Sequence, residues 1–303
     1  MNNIVKKNIE EWSNHPFCDD TLKKLNHLKN DKVRLTDAFY KNLEFGTGGM
    51  RGLMGVGTNR INKYTIGKNT QGISNFINRN FDKNKSVVIA YDCRHNSSKL
   101  AKVVADVFSA NSINVFLFSY LRPTPELSFA VRKLNCICGV VLTASHNPPE
   151  YNGFKVYWKD GGQIVPPIDN FLIEEIEKLK FNDINFKSNQ ELIEILDEET
   201  DNQFIKVCLE NGLNKNVKSR ASNKIVFTAL HGTSSTLIPK LFKKAGYDNI
   251  SYVESQMIPD GDFSTLKSPN PEEVESMDMA LELANEVKAD IVIGTDPDAD
   301  RLG

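Results

Sequence analysis

Short apolar runs alternate with stretches of helical spacing through most of the chain. Val87-Val88-Ile89-Ala90 is continuous and apolar, as in a strand covered on both faces. Residues 97–110 follow with apolar positions at Leu100, Val103, Val104 and Val107, which predicts a helix. Val115-Phe116-Leu117-Phe118 predicts a strand, 125–134 a helix opened by Pro125, and 137–142 another strand. Upstream, the first forty residues read as short polar helices, then comes a glycine cluster at 44–52, then a helix over 65–80. Strands alternating with helices predict a mostly parallel sheet flanked by helices, an α/β fold.

The pattern lapses over 181–223, a polar, charged stretch with acids at Asp197, Glu198, Glu199 and Asp201. It then restarts with a strand at 225–230, a helix at 237–245 ended by Gly246, and a strand at 250–253. Asn270-Pro271-Glu272-Glu273 has the chemistry of a helix start, with Val274, Met277, Leu281 and Ala284 as its expected buried stripe. Ile291-Val292-Ile293 predicts the last strand. Two consecutive α/β domains are expected, 1–200 and 201–303, although a helical excursion within one domain would give the same lapse.

Bulk properties narrow the function. The chain has 303 residues, 40% hydrophobic and 25% charged, with a net charge of -2. Nothing there draws it to nucleic acid or an anionic membrane. No stretch is apolar enough to span a bilayer, and Met1 to Trp12 lack a signal core, so a cytoplasmic setting is expected. Five cysteines form no disulfide pattern. Cys136 and Cys138, two apart in an apolar run, are expected to be buried on the same face of a strand.

Three segments carry chemistry. Asp296, Asp298 and Asp300 alternate just after a buried strand. In an extended segment alternate side chains point the same way, and converging carboxylates call for a cation such as Mg²⁺. A solvated acidic turn is the plainer alternative. An EF-hand loop is excluded by the preceding strand, by Pro297, and by Arg301 where that loop needs glycine. Ser145, in Thr143-Ala144-Ser145-His146-Asn147-Pro148, follows the C-terminal end of a strand, where ligands bind in open α/β sheets. It lacks the flanking glycines of a hydrolase elbow. Its plainer role is to cap a turn. The glycine cluster ending in Arg51-Gly52 matches neither a P-loop nor a dinucleotide fingerprint. It could admit a bulky anion with Arg51 forked onto it, or be a flexible connector.

Together the three resemble a family. The run Thr143-Ala-Ser-His-Asn-Pro-Pro-Glu-Tyr-Asn-Gly-Phe-Lys155 is similar to the active-serine signature of the α-D-phosphohexomutases. Gly294-Thr-Asp-Pro-Asp-Ala-Asp-Arg-Leu-Gly303 resembles their metal loop, and Phe45-Gly-Thr-Gly-Gly-Met-Arg-Gly52 their N-terminal substrate loop. The branch it resembles is the bacterial phosphoglucomutase/phosphomannomutase one, akin also to phosphopentomutases.

The resemblance implies a phosphoserine at Ser145 and Mg²⁺ held by its oxygen with Asp296, Asp298 and Asp300. It implies a sugar-phosphate substrate and glucose 1,6-bisphosphate as activator or intermediate. Arg51, Asn147, Lys155 and Arg301 are implied phosphate contacts. Lys155, Arg51 and His146 are the implied candidates for moving the substrate's proton. Lys155 is favoured if its pKa falls in a cationic site, and a pure charge role is its alternative. The loop at His231-Gly232 and the turn at 122–125 also resemble family features. Family members have four domains. Residues 1–303 are therefore expected to be the first two, without the third domain's sugar-recognition loop and the fourth's phosphate clamp. Three readings follow: a phosphoglucomutase/phosphomannomutase, a phosphopentomutase, or a non-catalytic remnant that binds Mg²⁺ or sugar phosphate.

Overall fold

The computed structural model describes residues 3–14, 16–212 and 218–303; residues 213–217, within the polar stretch at 181–223, lie outside them. Three short helices open the chain: α1 (Asn3–Trp12), α2 (Asp19–Leu28) and α3 (Lys32–Phe39). Asp31 caps α3, its side chain accepting from the Val33 and Arg34 amides. Their apolar faces close over Trp12, which is fully buried and stacks on Phe17 at 4.3 Å between centroids.

The first sheet is built from β1 (Gly49–Leu53), β2 (Ser86–Tyr91), β3 (Asn114–Phe118), β4 (Cys138–Leu142), β5 (Tyr151–Trp158) and β6 (Ile193–Leu196). Its order is β1-β5-β4-β2-β3-β6. β2 pairs in parallel with β3 and β4, and β3 in parallel with β6, while β5 runs antiparallel to both β4 and β1. The intervening helices are α4 (Lys63–Asn80), α5 (Ser97–Ala110), α6 (Thr124–Lys133) and α7 (Ile168–Glu177). Apolar residues of α4, α5 and α7 pack on Val87, Ile89, Val140 and Leu142. Those of α6 pack on the opposite face, against Val88, Ala90 and Val141. Burial on both faces explains why these strands are unbroken apolar runs.

Cys136 and Cys138 are both buried, but on opposite sides: Cys136 joins the α6 cluster and Cys138 the α5 cluster. Strand pairing begins at Cys138, so period-two alternation does not reach back to Cys136.

The acidic patch is the start of α8 (Glu198–Glu210), with Asp197 as N-cap accepting from the Glu199 amide. Acids there match the positive end of the helix dipole. A second, three-stranded sheet follows: β7 (Ile225–Thr228), β8 (Ile250–Tyr252) and β9 (Ile291–Gly294), all parallel, in the order β8-β7-β9. α9 (Ile238–Ala245) ends at Gly246 in the left-handed conformation, and α10 (Asp278–Val287) precedes β9.

The expected helix start at Asn270 is corrected. Asn270 accepts from the Glu272 amide in a turn, a 3₁₀ turn spans Val274–Met277, and α10 begins at Asp278. The buried stripe shifts accordingly. Val274 is 74% exposed and Leu281 41%, while Met277 and Ala280 are buried with Leu283, Ala284 and Val287 packed around them. In that turn Glu272 pairs with Arg301 at 3.0 Å.

α6 and α8 are joined by a buried charge cluster. Arg122 forks onto Asp201 at 2.8 and 3.0 Å and lies 3.7 Å from Glu126. Burial, then the Asp201 charge, raise the Glu126 carboxyl from 4.5 to about 9 against the opposing pull of Arg122. Between those values the folded chain binds the extra proton, so this group's contribution to stability falls as pH rises. Glu126→Gln is expected to flatten that decline by up to one proton and to equal or exceed the native chain in stability above neutrality. Urea midpoints measured from acid to alkaline pH check this; parallel curves for the two proteins would contradict it.

Candidate active site

Two strand ends meet at one point. β4 runs into residues 143–149 and β9 into 295–301, each leaving the C-terminal end of its strand. Ser145 is 2% exposed with φ 53°, the left-handed region, where a non-glycine residue costs about 1–2 kcal/mol. The Thr143 side chain holds it there, its Oγ1 accepting from the Ser145 amide at 2.8 Å. Ser145 Oγ donates to Asp296 Oδ2 at 2.6 Å and lies 3.1 Å from His146 Nδ1. Strand β5 carries Lys155 between Val141 of β4 and Gly49 of β1. Gly49 has φ 132°, and a Cβ there would stand 1.9 Å from the Phe154 carbonyl oxygen, so the strand pairing depends on glycine. On β1, Arg51 Nη1 donates to Asn147 Oδ1 at 2.7 Å, fastening the edge strand to the serine loop.

The three aspartates converge, with oxygens within 4.8 Å of one another. They do so on a tight turn, not an extended segment: the Asp296 carbonyl accepts from the Ala299 amide at 2.9 Å, and Ala299 has φ 55°. Asp296 and Asp298 are fully buried and Asp300 is more open. Asp296 Oδ1 accepts from the Asp300 and Arg301 amides at 3.1 and 3.0 Å. Asp298 Oδ2 accepts from Thr124 Oγ1 at 3.0 Å and from Lys155 Nζ at 2.5 Å, and Lys155 also reaches Asp300 at 2.7 Å. Asp298 Oδ1 is buried without a hydrogen-bond partner among the described residues.

The electrostatics follow from this crowding. Burial and the adjacent Asp298 charge push Asp296 above the carboxylate range. At Asp298 burial acts the same way, but Lys155, the Asp296 carboxyl and Thr124 together outweigh it and hold the group low. Burial, then the charges of Arg301 and Arg51, lower His146. Lys155 reverses the expectation of a falling pKa: burial lowers it, but Asp298 and Asp300 outweigh burial and hold it above the usual lysine value. Its surroundings are anionic rather than cationic. An all-oxygen set with one orphaned buried carboxylate oxygen fits a hard cation such as Mg²⁺, which those carboxylates would hold together with Ser145 Oγ.

The remaining expected residues divide. Arg301 points away to Glu272 and lies at the rim. His231 is buried, with its ring nitrogens 2.8 Å from the Ile258 carbonyl oxygen and from Thr265 Oγ1; it braces two loops. Its neighbours support the aspartate turn. Thr233 donates its amide and hydroxyl to the Pro297 carbonyl at 2.8 and 3.0 Å, and a Cβ on Gly232 would stand 2.5 Å from Pro297 Cα. Thr124, in the 122–125 turn, is closer to the chemistry than its sequence indicated. Arg94, buried beneath the serine loop, went unnoticed there. Its one signal was Asp92-Cys93-Arg94 directly after β2, beside β4 at the same edge of the sheet.

Comparison with known proteins agrees with this architecture. Residues 42–183 match the family model "Phosphoglucomutase/phosphomannomutase, alpha/beta/alpha domain I", and residues 202–303 match domain II of the same family. A phosphoglucomutase of Staphylococcus aureus (strain bovine RF122 / ET3-1) is 39% identical over 290 residues, covering 94% of this chain and 52% of that protein. The chain thus spans about half the length of the curated relatives it matches. Among solved structures, a phosphoglucomutase/phosphomannomutase family protein from Burkholderia thailandensis matches with TM-score 0.69 at 23% identity, over 85% of this chain and 53% of that one. The Paramecium phosphoprotein pp63/parafusin, a phosphoglucomutase in its open form, matches with TM-score 0.66 at 20% identity, over 87% and 52%. These two similarities speak to the fold. The chain belongs to the α-D-phosphohexomutase superfamily and corresponds to its domains I and II.

Proposed function

We propose that the chain supplies the phosphoserine and metal half of a phosphohexomutase site, which interconverts hexose 1-phosphate and hexose 6-phosphate through a bisphosphorylated sugar such as glucose 1,6-bisphosphate. The observation that carries this is Ser145 Oγ at 2.6 Å from Asp296 within a cluster of three aspartates. Mg²⁺ held there would supply positive charge against the oxygens of a transferring phosphoryl group.

In this account Ser145 Oγ bonds to phosphorus as the sugar oxygen leaves, and the reverse step returns the group to the sugar's other hydroxyl. The serine proton has two near acceptors, Asp296 Oδ2 and His146 Nδ1. We assign it to His146, because Asp296 belongs to the metal set, and the departing sugar oxygen takes up a proton from water to leave as the hydroxyl. Lys155, bonded to two of the aspartates, serves as a charge partner. Arg51, tethered to Asn147, is the fork offered to phosphoryl oxygens, with Arg301 at the rim. The division between the two domains is proposed near residue 200, after β6 and in the first turn of α8. Sugar recognition and the grip on the distal phosphate are proposed to lie outside residues 1–303, and the setting to be cytoplasmic.

The name of the Staphylococcus aureus relative favours a hexose over a pentose. The test is a chase. Phosphate-labelled chain, joined to the segments proposed to recognise the sugar, is mixed with glucose 1-phosphate, mannose 1-phosphate or ribose 1-phosphate in Mg²⁺. Label is expected to leave Ser145 for the hexose phosphates faster than for the pentose. Faster discharge to ribose 1-phosphate would replace the assignment with a phosphopentomutase. Label that never leaves Ser145 would support a non-catalytic remnant.

A further inference from the structure

Arg94 is not used by the chemistry above, yet its environment is elaborate. It is 3% exposed. Nη1 donates to the carbonyls of Pro148 and Tyr151 at 2.7 and 3.1 Å, and Nη2 to those of Ser145 and Asn147 at 2.6 and 2.5 Å. Nε faces Asp92 Oδ2 at 3.3 Å. Asp92 is itself anchored: its Oδ1 accepts from Ser97 Oγ at 2.7 Å and from the Arg94 amide at 3.0 Å. One guanidinium therefore gathers three carbonyls of the loop that carries Ser145 and that of Tyr151, the first residue of β5.

The other half of the environment comes from the second domain. The Phe263 ring lies 5.0 Å from the Arg94 guanidinium carbon, measured to its centroid, and is itself buried. Phe263 sits on a locked turn. Asp260 accepts from the Asp262 amide and from the amide and hydroxyl of Ser264, at 2.9, 2.9 and 2.6 Å. The turn packs closely on residues 93–95: a Cβ on Gly261 would stand 2.8 Å from the His95 amide nitrogen. Asp262 and His95 side chains meet at 2.7 Å.

A loop whose carbonyls point inward needs buried donors, and the planar fork of arginine is the side chain that can serve four at once. A lysine ammonium offers three donors from one point and cannot span them. Ser145 also holds an unfavourable φ, which persists only where the surroundings over-determine it. We propose that Arg94 is a positioning residue that holds Ser145 Oγ against the aspartate turn, and that Phe263 presses on its guanidinium so that the serine loop's geometry depends on the docked second domain. The catalytic part of this inference rests on Ser145 being the phosphoryl acceptor.

Two readouts on the native chain, Arg94→Lys and Phe263→Leu test it. The first, amide hydrogen exchange, is independent of activity. Residues 144–151 are expected to exchange about tenfold faster or more in Arg94→Lys, with β2 and β4 protection unchanged. The second is single-turnover phosphoryl uptake from glucose 1,6-bisphosphate. Misplacing the nucleophile should lower the limiting rate by about 10–100-fold while half-saturation stays within about twofold, since Arg94 does not contact the sugar. A merely structural loss would instead shrink the amplitude at an unchanged rate constant. Phe263→Leu, which keeps an apolar residue of similar reach, should give a smaller shift of the same kind, and it carries the test if Arg94→Lys folds poorly. Unchanged exchange over 144–151 in both variants, or a change of amplitude alone, would overturn the proposal. If the native chain takes up no phosphate, the acceptor assignment of Ser145 fails, and the exchange arm still decides whether Arg94 holds the loop.

Discussion

Alanine at position 145 is expected to abolish phosphoryl uptake while leaving the fold intact. The substitution removes the attacking atom itself, so the step is deleted rather than slowed. The hydroxyls of Thr143 and Thr124 are already engaged: Thr143 Oγ1 accepts from the residue 145 amide, and Thr124 Oγ1 donates to Asp298. The left-handed backbone is no harder for alanine than for serine, and Thr143 still caps it. What is lost structurally is the hydrogen bond to Asp296, about 1–3 kcal/mol for the partner left unsatisfied, together with the contact to His146 Nδ1. Asp296 can relieve part of this by protonation, because burial and Asp298 already favour its neutral form. Circular dichroism should match the native chain, and intact mass should show no adduct. An adduct on the alanine variant would mean that another residue accepts phosphate.

Asp298→Asn is the second large effect. Asp298 is fully buried, accepts from Lys155 and Thr124 on one oxygen, and presents the other with no hydrogen-bond partner among the described residues. Asparagine is nearly isosteric but removes the charge and puts a donor among donors or toward the cation. Mg²⁺ affinity, read by calorimetry, should fall by about 100-fold or more, and uptake by about 1,000-fold, close to 4 kcal/mol in the barrier. Asp300→Asn, at the more open position, should cost distinctly less. Native Mg²⁺ affinity in Asp298→Asn would show that the aspartate turn is not the metal site.

Much of this was legible in the chain, for identifiable reasons. β2, β3, β4 and α5 declare themselves because burial on two faces or one stripe leaves a local pattern. β5 did not, because Asn152, Gly153 and Lys155 interrupt it. Those polar residues are buried on account of distant partners: Asn152 bonds Ser97, and Lys155 bonds aspartates more than 140 positions away. α10 was misplaced because Asn270 and the acids after it form a turn that holds Arg301, a use that resembles a helix start locally. At the site, Ser145 and the aspartates were readable as motifs, and the family comparison supports the fold in which they meet. Lys155 was read in the wrong field, since whether a lysine faces anions or cations depends on folding. Arg94 had only its place after β2 to mark it, because most of its partners are backbone carbonyls, which every residue has.

The central claim is that Ser145 and the three aspartates form one metal-dependent phosphoryl-transfer site. Its most direct measurement is intact mass after incubation with glucose 1,6-bisphosphate, with Mg²⁺ or with a chelator. A single added phosphoryl group in Mg²⁺, mapping to Ser145 and absent with the chelator, is the expected result. Uptake that ignores the chelator, or that maps to another residue, would contradict it.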